Sequence, residues 1–423
     1  MHMPSRRSRA RLVGVVAVVL ALAAATGCAQ SDKATWRGAG TGMPSGEAGG
    51  AGTKKAPGEF KITPAADATQ VSVLDPIKVT AQDATLEAVT VTNPDGKQVG
   101  GELGADRKSW SSGEPLGYGK QYKVTATGTN SAGQHIEQTS AFTTLKPKNQ
   151  TQPYLRASDT HLLKERDTYG VGQTIQVWFD EPVPDKATAQ TSLKVTTSPQ
   201  AEGAWHWFGA QRVEWRPKEY WKPGTKVSVS TDVYGKDLGD GLYGQSDVSA
   251  SFAIGQSRIA IADNNTKQMQ VYVDGQVVRT MPVSLGKGGY NKTADGQTIN
   301  YWTNGGPHVV LDKAPVTRMT SASYGVKDPK DPNYYDEKIT LTVRISNAGE
   351  YVHMADWNIP AHGRQNTSHG CINVAPAHAK WFYDTFIPGD VVDVKNSPIT
   401  LKPTDGIGAW TLSWNDWTKG SAL

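Results

Sequence analysis

Short runs of alternating apolar and polar residues, separated by turn residues, occupy the chain from residue 58 to residue 254. Two such runs lie in LEAVTVTNPDGKQV, on either side of Pro94, Asp95 and Gly96, a combination that favours a tight turn. No helical periodicity interrupts the first part of this region. Strands at this spacing predict small β-sandwiches.

The stretch LKPKNQTQP, residues 145–153, divides this region into two units of similar order. YGKQYKVTATGTN in the first unit corresponds to KPGTKVSVSTDVYG in the second, and TSAFTTL corresponds to VSASFAI. We therefore predict two immunoglobulin-like (Ig-like) β-sandwich domains, at residues 58–148 and 149–255. Neither holds an obvious catalytic cluster, so we expect them to act in spacing or binding.

A third unit, residues 256–396, carries a different pattern. Its first part predicts a hairpin and a further strand, with Asp274 and Gly275 in a turn. The segment 376–386 predicts a helix, because Pro376 suits a first turn and the apolar residues share one face. GDVVDV predicts a closing strand. The predicted fold class is therefore mainly β: two Ig-like sandwiches, then a β-rich domain with one short helix.

The last segment, residues 397–423, is rich in tryptophan. Trp410, Trp414 and Trp417 are spaced as on one face of a helix. This spacing predicts a short amphipathic helix that packs back on the body of the protein. An aromatic stripe that binds a ligand is the alternative interpretation.

The amino-terminal segment has the layout of an export signal. An apolar run at residues 12–25 ends in small residues and Cys28, and it follows the arginines Arg6, Arg7, Arg9 and Arg11. The sequence ATGC resembles a bacterial lipobox, which implies cleavage before Cys28 and attachment of lipid to its sulfur. We therefore predict a signal peptide (1–27), a flexible linker (28–57) and an extracytoplasmic protein, lipid-anchored to the cell membrane and facing the cell wall. The alternative is an ordinary secretory signal, with Cys28 lost on cleavage.

Charge and hydropathy limit the other partners. The net charge is only +4 over 423 residues, so a nucleic-acid partner is not expected. With a mean hydropathy of −0.48, no segment after residue 27 is expected to span a membrane.

The second of the two cysteines, Cys371, would then be an unpaired thiol outside the cytoplasm, where thiols usually form disulfides. A thiol attacks a carbonyl as the thiolate, which requires a base or a cation within reach. His369 is two residues away and would share a face with Cys371 in an extended segment. His353 lies in a predicted strand that could neighbour the cysteine strand. The amides of Gly370 and Cys371 could form an oxyanion hole.

Zinc is the other use of cysteine with histidine. Cys371 could bind a metal together with His353, His362 and His369, but the spacing matches no closed zinc motif and no second cysteine pair exists. We therefore expect no metal at these residues. His308, His362 and His378 are interpreted as surface or packing residues.

The segment SHGCINV resembles the signature of the L,D-transpeptidase catalytic domain, in which a histidine precedes Ser/Thr-His-Gly-Cys by some 15 to 20 residues. The resemblance extends over nearly all of the chain after the signal. It implies that Cys371 is the nucleophile, that His353 is its acid and base, and that His369 contributes to the catalytic site. The substrate-binding positions that it implies are Tyr335, Tyr334, Met319, Trp357, Ser368 and Asn373. In close relatives a serine often follows the catalytic histidine, whereas this chain has Met354.

The resemblance implies a peptidoglycan L,D-transpeptidase that forms 3→3 cross-links between stem peptides. Cys371 would accept the acyl group of a tetrapeptide stem, release D-alanine, and transfer the acyl group to the side-chain amine of a second stem. It also implies covalent inhibition by carbapenem β-lactams and no cofactor.

Several alternatives differ in chemistry. Water could replace the acceptor amine, which would make an L,D-carboxypeptidase, or the chain could be a wall-binding lipoprotein without activity. Papain-like hydrolases place cysteine before histidine along the chain, and sortases need a Thr-Leu-x-Thr-Cys segment that is absent here.

Overall fold

The computed structural model describes residues 58–423, except 293–295, 297 and 332. The predicted signal peptide, the linker and the lipidation site Cys28 lie outside the described residues. Across the part that is described, no helix is both long enough and apolar enough to cross a membrane. The described residues between 58 and 423 form one compact unit.

The first sandwich packs two antiparallel sheets, within the described residues, in the orders β1-β2-β5-β4 and β3-β6-β7. Its strands are β1 (Glu59–Thr63), β2 (Lys78–Gln82), β3 (Ala84–Thr92), β4 (Gly101–Leu103), β5 (Ser109–Ser112), β6 (Gln121–Asn130) and β7 (His135–Thr143). Alternate residues of β6 are buried, as expected for a strand with one face on the core. Phe60, Trp110, Tyr122 and Phe142 fill that core.

The predicted turn at residues 94–96 is present, but only one of the two predicted strands that flank it is a regular strand. The Gly96 amide donates to Asn93 O at 3.0 Å, with Gly96 at a φ of 78°. The run after the turn pairs with β3 only through a bridge between Thr92 and Gln98. The chain then leaves β3 to form β4 in the opposite sheet.

The second sandwich follows directly, with described strands ordered β10-β9-β12-β15-β14 and β11-β18-β16-β13. The strands are β8 (Asn149–Thr151), β9 (Pro153–Ser158), β10 (His161–Leu162), β11 (Thr168–Tyr169), β12 (Ile175–Phe179), β13 (Leu193–Ser198), β14 (Gly203–Phe208), β15 (Arg212–Pro217), β16 (Lys226–Thr231), β17 (Leu242–Gly244) and β18 (Val248–Ile254). One short helix, α1 (Lys186–Thr191), begins where Asp185 accepts the Thr188 amide. The core of this sandwich is rich in tryptophan, with Trp205, Trp207, Trp215 and Trp221 among its buried residues.

The third domain is built on one long mixed sheet, ordered in the described residues as β24-β29-β19-β20-β21-β28-β27-β26-β25. Its strands are β19 (Arg258–Asp263), β20 (Gln268–Val273), β21 (Gln276–Ser284), β22 (Tyr290–Lys292), β23 (Thr298–Asn300), β24 (Gly306–Val309), β25 (Asp312–Thr320), β26 (Asp336–Arg344), β27 (Tyr351–Met354), β28 (Ile372–Val374) and β29 (Val391–Lys395). Asp274 and Gly275 form the predicted turn, and both have positive φ.

The predicted helix is α2 (Pro376–Thr385), which packs on the sheet through Ala379 and Phe382. Its carboxyl end is held by Lys313, whose Nζ donates to Tyr383 O at 2.7 Å and to Phe386 O at 2.9 Å. Two 3₁₀ helices lie beside the sheet, at Ser321–Tyr324 and Asp356–Ala361. The predicted fold class is confirmed.

The carboxyl-terminal extension packs on the second sandwich. It holds two short helical segments, a 3₁₀ helix at Gly408–Thr411 and α3 (Trp414–Thr418), rather than one helix, because Leu412 between them is extended. Trp417 is fully buried and its Nε1 donates to Ala204 O at 2.9 Å. The three predicted tryptophans surround the guanidinium of Arg216 at 4.7 to 5.4 Å from their ring centres. This stripe therefore serves packing.

Candidate active site

Two parallel strands bring the predicted nucleophile and base together. Cys371 directly precedes β28, and His353 lies on β27, where it pairs with Asn373. Side chains alternate along a strand, so Cys371 and Asn373 point to the same face as His353. Cys371, His353 and Asn373 all line one cavity of about 330 Å³.

The same cavity gathers nearly all the other predicted site residues. Those present are Met319, Tyr335, Trp357, Ser368 and His369, and the lining residues that the sequence did not indicate are Glu337, Ile339, Asn358 and Thr367. Tyr334 does not line it and instead packs on a small cluster of Ile299, Tyr301 and Val326. Of the two adjacent tyrosines, the structure therefore brings Tyr335 to the cavity.

His353 is held in one tautomer by the backbone. Its Nδ1 lies 2.7 Å from Met354 O, and because a carbonyl only accepts, Nδ1 carries the hydrogen and Nε2 is free to take a proton. Burial lowers the pKa of His353 to about 4, so the ring is neutral near pH 7. The group that orients His353 is the main-chain carbonyl of residue 354. Having Met354 where close relatives often have serine therefore leaves the orientation of His353 intact.

The Cys371 thiol is protonated in the resting structure. Burial, the largest effect, raises its pKa to about 12; a hydrogen bond from the Tyr351 backbone lowers the pKa, and the Glu350 carboxylate, the smallest of the three effects, raises it. Its Sγ lies 3.7 Å from Gly349 O, to which the thiol donates a weak hydrogen bond. The resting pair is therefore neutral thiol and neutral imidazole.

A small network fixes the turn that carries the cysteine. Ser368 Oγ donates to Cys371 O at 2.6 Å and accepts the Gly370 amide at 3.1 Å. Thr303 Oγ1 donates to Gly370 O at 2.8 Å. Gly370 adopts a φ of 138°, a region that favours glycine. Since the Gly370 amide already donates to Ser368, the Cys371 amide is the better candidate for an oxyanion donor.

His369 forms part of the cavity wall. Its ring stacks on Tyr335 at 5.2 Å and meets Tyr301 edge-on at 5.2 Å. Lys287 Nζ lies 3.3 Å from its Nε2, and surrounding protein atoms together with this ammonium lower the pKa of His369. An ammonium only donates, so Nε2 of His369 is the acceptor. These contacts fix the His369 ring in place, so it can position Tyr335.

Asn373 offers an unused acceptor to a ligand. The residue is 3% exposed, and its Oδ1 has no hydrogen-bond partner among the described residues. A buried amide oxygen without a partner is costly unless a bound molecule satisfies it. Asn373 can therefore accept from an N–H group of a substrate in the cavity.

The remaining histidines lie in packing environments. His308 is fully buried against Glu350, His362 is buried with Nε2 3.0 Å from Asn358 Oδ1, and His378 is half-buried. Among the residues that the structure describes, no group of three or more His, Cys, Asp or Glu could hold a metal ion.

Supporting residues that sequence reasoning missed come from distant positions. Thr303 is 67 positions from Gly370, and Lys287 is 82 positions from His369. Only the fold brings them together, and no local motif marks them. Thr367 is the exception, because it directly precedes the segment SHGCINV.

Comparison with known proteins agrees with this geometry. A family model described as a bacterial Ig domain matches residues 68–237, and one described as an L,D-transpeptidase catalytic domain matches residues 257–394. L,D-transpeptidase 2 of Mycobacterium tuberculosis (strain CDC 1551 / Oshkosh) is 39% identical over 356 residues, which cover 84% of this chain and 83% of the relative. L,D-transpeptidase 5 of Mycobacterium tuberculosis (strain ATCC 25618 / H37Rv) is 32% identical, over 88% of this chain and 79% of the relative.

Solved structures are similar over a shorter part. An L,D-transpeptidase from Mycobacterium smegmatis is 31% identical, covering 58% of this chain and 99% of its own, with a TM-score of 0.44. LdtMt1, an LD transpeptidase in complex with imipenem, is 28% identical, covering 57% and 99%, with a TM-score of 0.46. From its matched domains and from relatives that align over more than four-fifths of its length, the chain belongs to the L,D-transpeptidase family.

Proposed function

We propose that the chain is a peptidoglycan L,D-transpeptidase that forms 3→3 cross-links by acyl transfer through Cys371. The observation that carries the proposal is the shared cavity, which is lined both by Cys371 and by a histidine whose tautomer leaves Nε2 free. Membership of the family supports the reaction class.

In the first step, Cys371 Sγ attacks the amide carbonyl that joins the third residue of a tetrapeptide stem, a diamino acid, to the terminal D-alanine. The thiol proton passes to His353 Nε2 as the C–S bond forms. Because the pKa of the thiol lies far above that of the imidazole, proton transfer is coupled to attack rather than completed before it. The Cys371 amide stabilises the oxyanion.

The intermediate then collapses to a thioester. The C–N bond breaks, the His353 imidazolium gives its proton to the departing nitrogen, and D-alanine leaves. In the second step, the side-chain amine of another stem attacks the thioester carbonyl and loses a proton to His353. Sγ leaves as the thiolate and recovers that proton, and the product is the 3→3 cross-link.

The cavity wall would bind the donor stem. Asn373 Oδ1 accepts a backbone N–H of the stem, while Met319 and Trp357 provide apolar contact on either side. Trp357 is 57% exposed, which is a large apolar surface to leave in water without a ligand. Tyr335, stacked on His369, lies where it can contact the scissile carbonyl.

Product analysis separates transfer from hydrolysis. The protein is incubated with a disaccharide tetrapeptide alone, or with a second stem as acceptor, and the products are resolved by mass. The proposal expects cross-linked dimers that increase with acceptor concentration. Release of D-alanine with tripeptide stems alone, at every acceptor concentration, would identify an L,D-carboxypeptidase instead.

We also propose that the protein works outside the cytoplasm, anchored by lipid at Cys28, with residues 29–57 as a tether and the Ig-like domains as spacers. The support is the arginine-rich apolar leader and its ATGC end. Metabolic labelling with a palmitate analogue tests this, with Cys28→Ser as the matched variant. Label that persists in the variant, or is missing from the parent, contradicts the anchor.

We further propose that carbapenems acylate Cys371, since the family member LdtMt1 has been solved in complex with imipenem. A mass gain equal to the intact drug is expected on the parent protein and not on Cys371→Ala. An equal gain on both proteins would place the reaction elsewhere.

A further inference from the structure

A buried charged pair lies directly behind Cys371, outside the cavity. Glu350 is 5% exposed and His308 is fully buried. His308 Nε2 lies 3.1 Å from Glu350 Oε2, while Glu350 Oε1 accepts the Asn304 amide at 2.7 Å. His308 Nδ1 donates to Gly306 O at 2.9 Å. The pair is therefore held at both ends by hydrogen bonds.

Glu350 stands between the two main-chain groups that contact the cysteine sulfur. The preceding residue supplies Gly349 O, which accepts from the thiol at 3.7 Å. The following residue supplies the Tyr351 amide, whose hydrogen bond favours the thiolate. Because the Glu350 side chain is anchored to His308 and Asn304, the backbone on both sides of it is fixed in place. The position of the Cys371 sulfur thus depends on the Glu350 side chain, which does not line the cavity.

Each member of the pair favours the charged form of the other. Burial alone would lower the pKa of His308, but the Glu350 carboxylate outweighs burial and raises it. Burial alone would raise the pKa of Glu350, but His308 lowers it. The Glu350 carboxylate disfavours a negative charge on Cys371. Asp405 is the other charged group that acts on His308.

We propose that the Glu350–His308 pair is a positioning device for the nucleophile: it holds the Gly349 carbonyl and the Tyr351 amide against the Cys371 sulfur, and its carboxylate slows the reaction of that sulfur. The inference rests on the proposed role of Cys371. An unpaired thiol that stays protonated reacts slowly with oxidants and disulfides, because those reactions proceed through the thiolate.

The test is the rate at which iodoacetamide alkylates Cys371 in the full chain, followed by mass spectrometry of the peptide that holds it, from pH 6 to pH 10. Glu350→Gln removes the charge and keeps an oxygen for the Asn304 amide. We expect its rate at pH 7.5 to rise roughly three- to tenfold, with the profile shifted to lower pH. Glu350→Asp keeps the charge, so the midpoint of its pH profile should stay at that of the parent, although its shorter side chain weakens the anchor to His308 and Asn304 and changes the rate.

The matched control is Glu214→Gln, which removes the charge of another buried glutamate, paired with Arg212 in the second sandwich. It should leave the alkylation profile unchanged even if it lowers the melting temperature. Should Glu350→Gln not fold, His308→Gln replaces it and should speed alkylation at least about twofold, because burial then raises the pKa of Glu350 and favours its neutral form.

Parent-like alkylation of Glu350→Gln, or an equal rise in Glu214→Gln, overturns the inference. So does unchanged or slower alkylation of His308→Gln when that variant stands in. Alkylation requires no transpeptidase activity, so a protein that shows these shifts but makes no cross-links would contradict the proposed function alone.

Discussion

The hydroxyl of Thr303 offers a sharp test of how the cysteine turn is built. Thr303 is 1% exposed, and its Oγ1 donates to Gly370 O at 2.8 Å while accepting the Gly286 amide at 2.9 Å. Thr303→Val keeps the shape but removes both bonds. Two buried backbone groups then lose their partner, at about 1–3 kcal/mol each, or about 2–6 kcal/mol together before relaxation.

Part of that cost should appear at the nucleophile, because Gly370 directly precedes Cys371. If about 2 kcal/mol enters the barrier to acylation, the rate falls roughly 30-fold, since 1.36 kcal/mol corresponds to a factor of ten. The assay is the time course of carbapenem acylation by intact mass, with the melting temperature recorded for each protein. Thr303→Ser keeps the hydroxyl and should acylate within about threefold of the parent.

A folded Thr303→Val protein that acylates at the parent rate would refute this reasoning. It would mean that the turn keeps Cys371 in place through Ser368 alone. An equal loss of acylation rate in Thr303→Ser would mean that packing of the Thr303 methyl group, rather than its hydroxyl, holds the turn.

Three further outcomes follow from the site. His353→Gln should acylate about 100- to 10,000-fold more slowly while keeping its melting temperature within a few degrees, and a smaller loss by stopped-flow or mass time course would remove His353 as the acid and base. Because burial lowers the pKa of His353 to about 4, the imidazole stays neutral between pH 7 and pH 5. The acylation rate should therefore be constant over that range and decline near pH 4. A decline centred near pH 6.5 would contradict this. Asn373→Ala should lower kcat/KM for the tetrapeptide donor about tenfold, through one lost hydrogen bond, and unchanged steady-state kinetics would contradict the role of Oδ1.

Features written in local sequence were predictable. The helix at Pro376–Thr385 follows from a proline in its first turn and apolar residues on one face, and the turn at Asp274 and Gly275 follows from residues that tolerate positive φ. The approach of His353 to Cys371 was expected from two neighbouring strands, and the parallel register of β27 and β28 provides it.

Features that depend on distant contacts were not predictable. The spacing of Trp410, Trp414 and Trp417 suggested one helix, but the chain straightens at Leu412, and Arg216 donates to its carbonyl from 196 positions away. No periodicity indicates such a docking site. His308 looked like an ordinary packing residue, and only the fold shows that its partner Glu350 lies beside the sulfur.

The separation of Tyr334 from Tyr335 shows the same limit at the site. The side chains of adjacent residues at the start of a strand face opposite directions. The register of β26 therefore decides which of the two tyrosines reaches the cavity. A shift of one residue would exchange them. Composition carries no information on that register.

The most direct test of the account is the mass of the protein after incubation with a disaccharide tetrapeptide, compared with Cys371→Ala. The account predicts a gain equal to the donor less D-alanine, on the peptide that holds Cys371, and no gain in the variant. A parent protein that binds the donor and is readily alkylated at Cys371, yet gains no mass and releases no D-alanine, would contradict the claim that Cys371 is an acyl-accepting nucleophile.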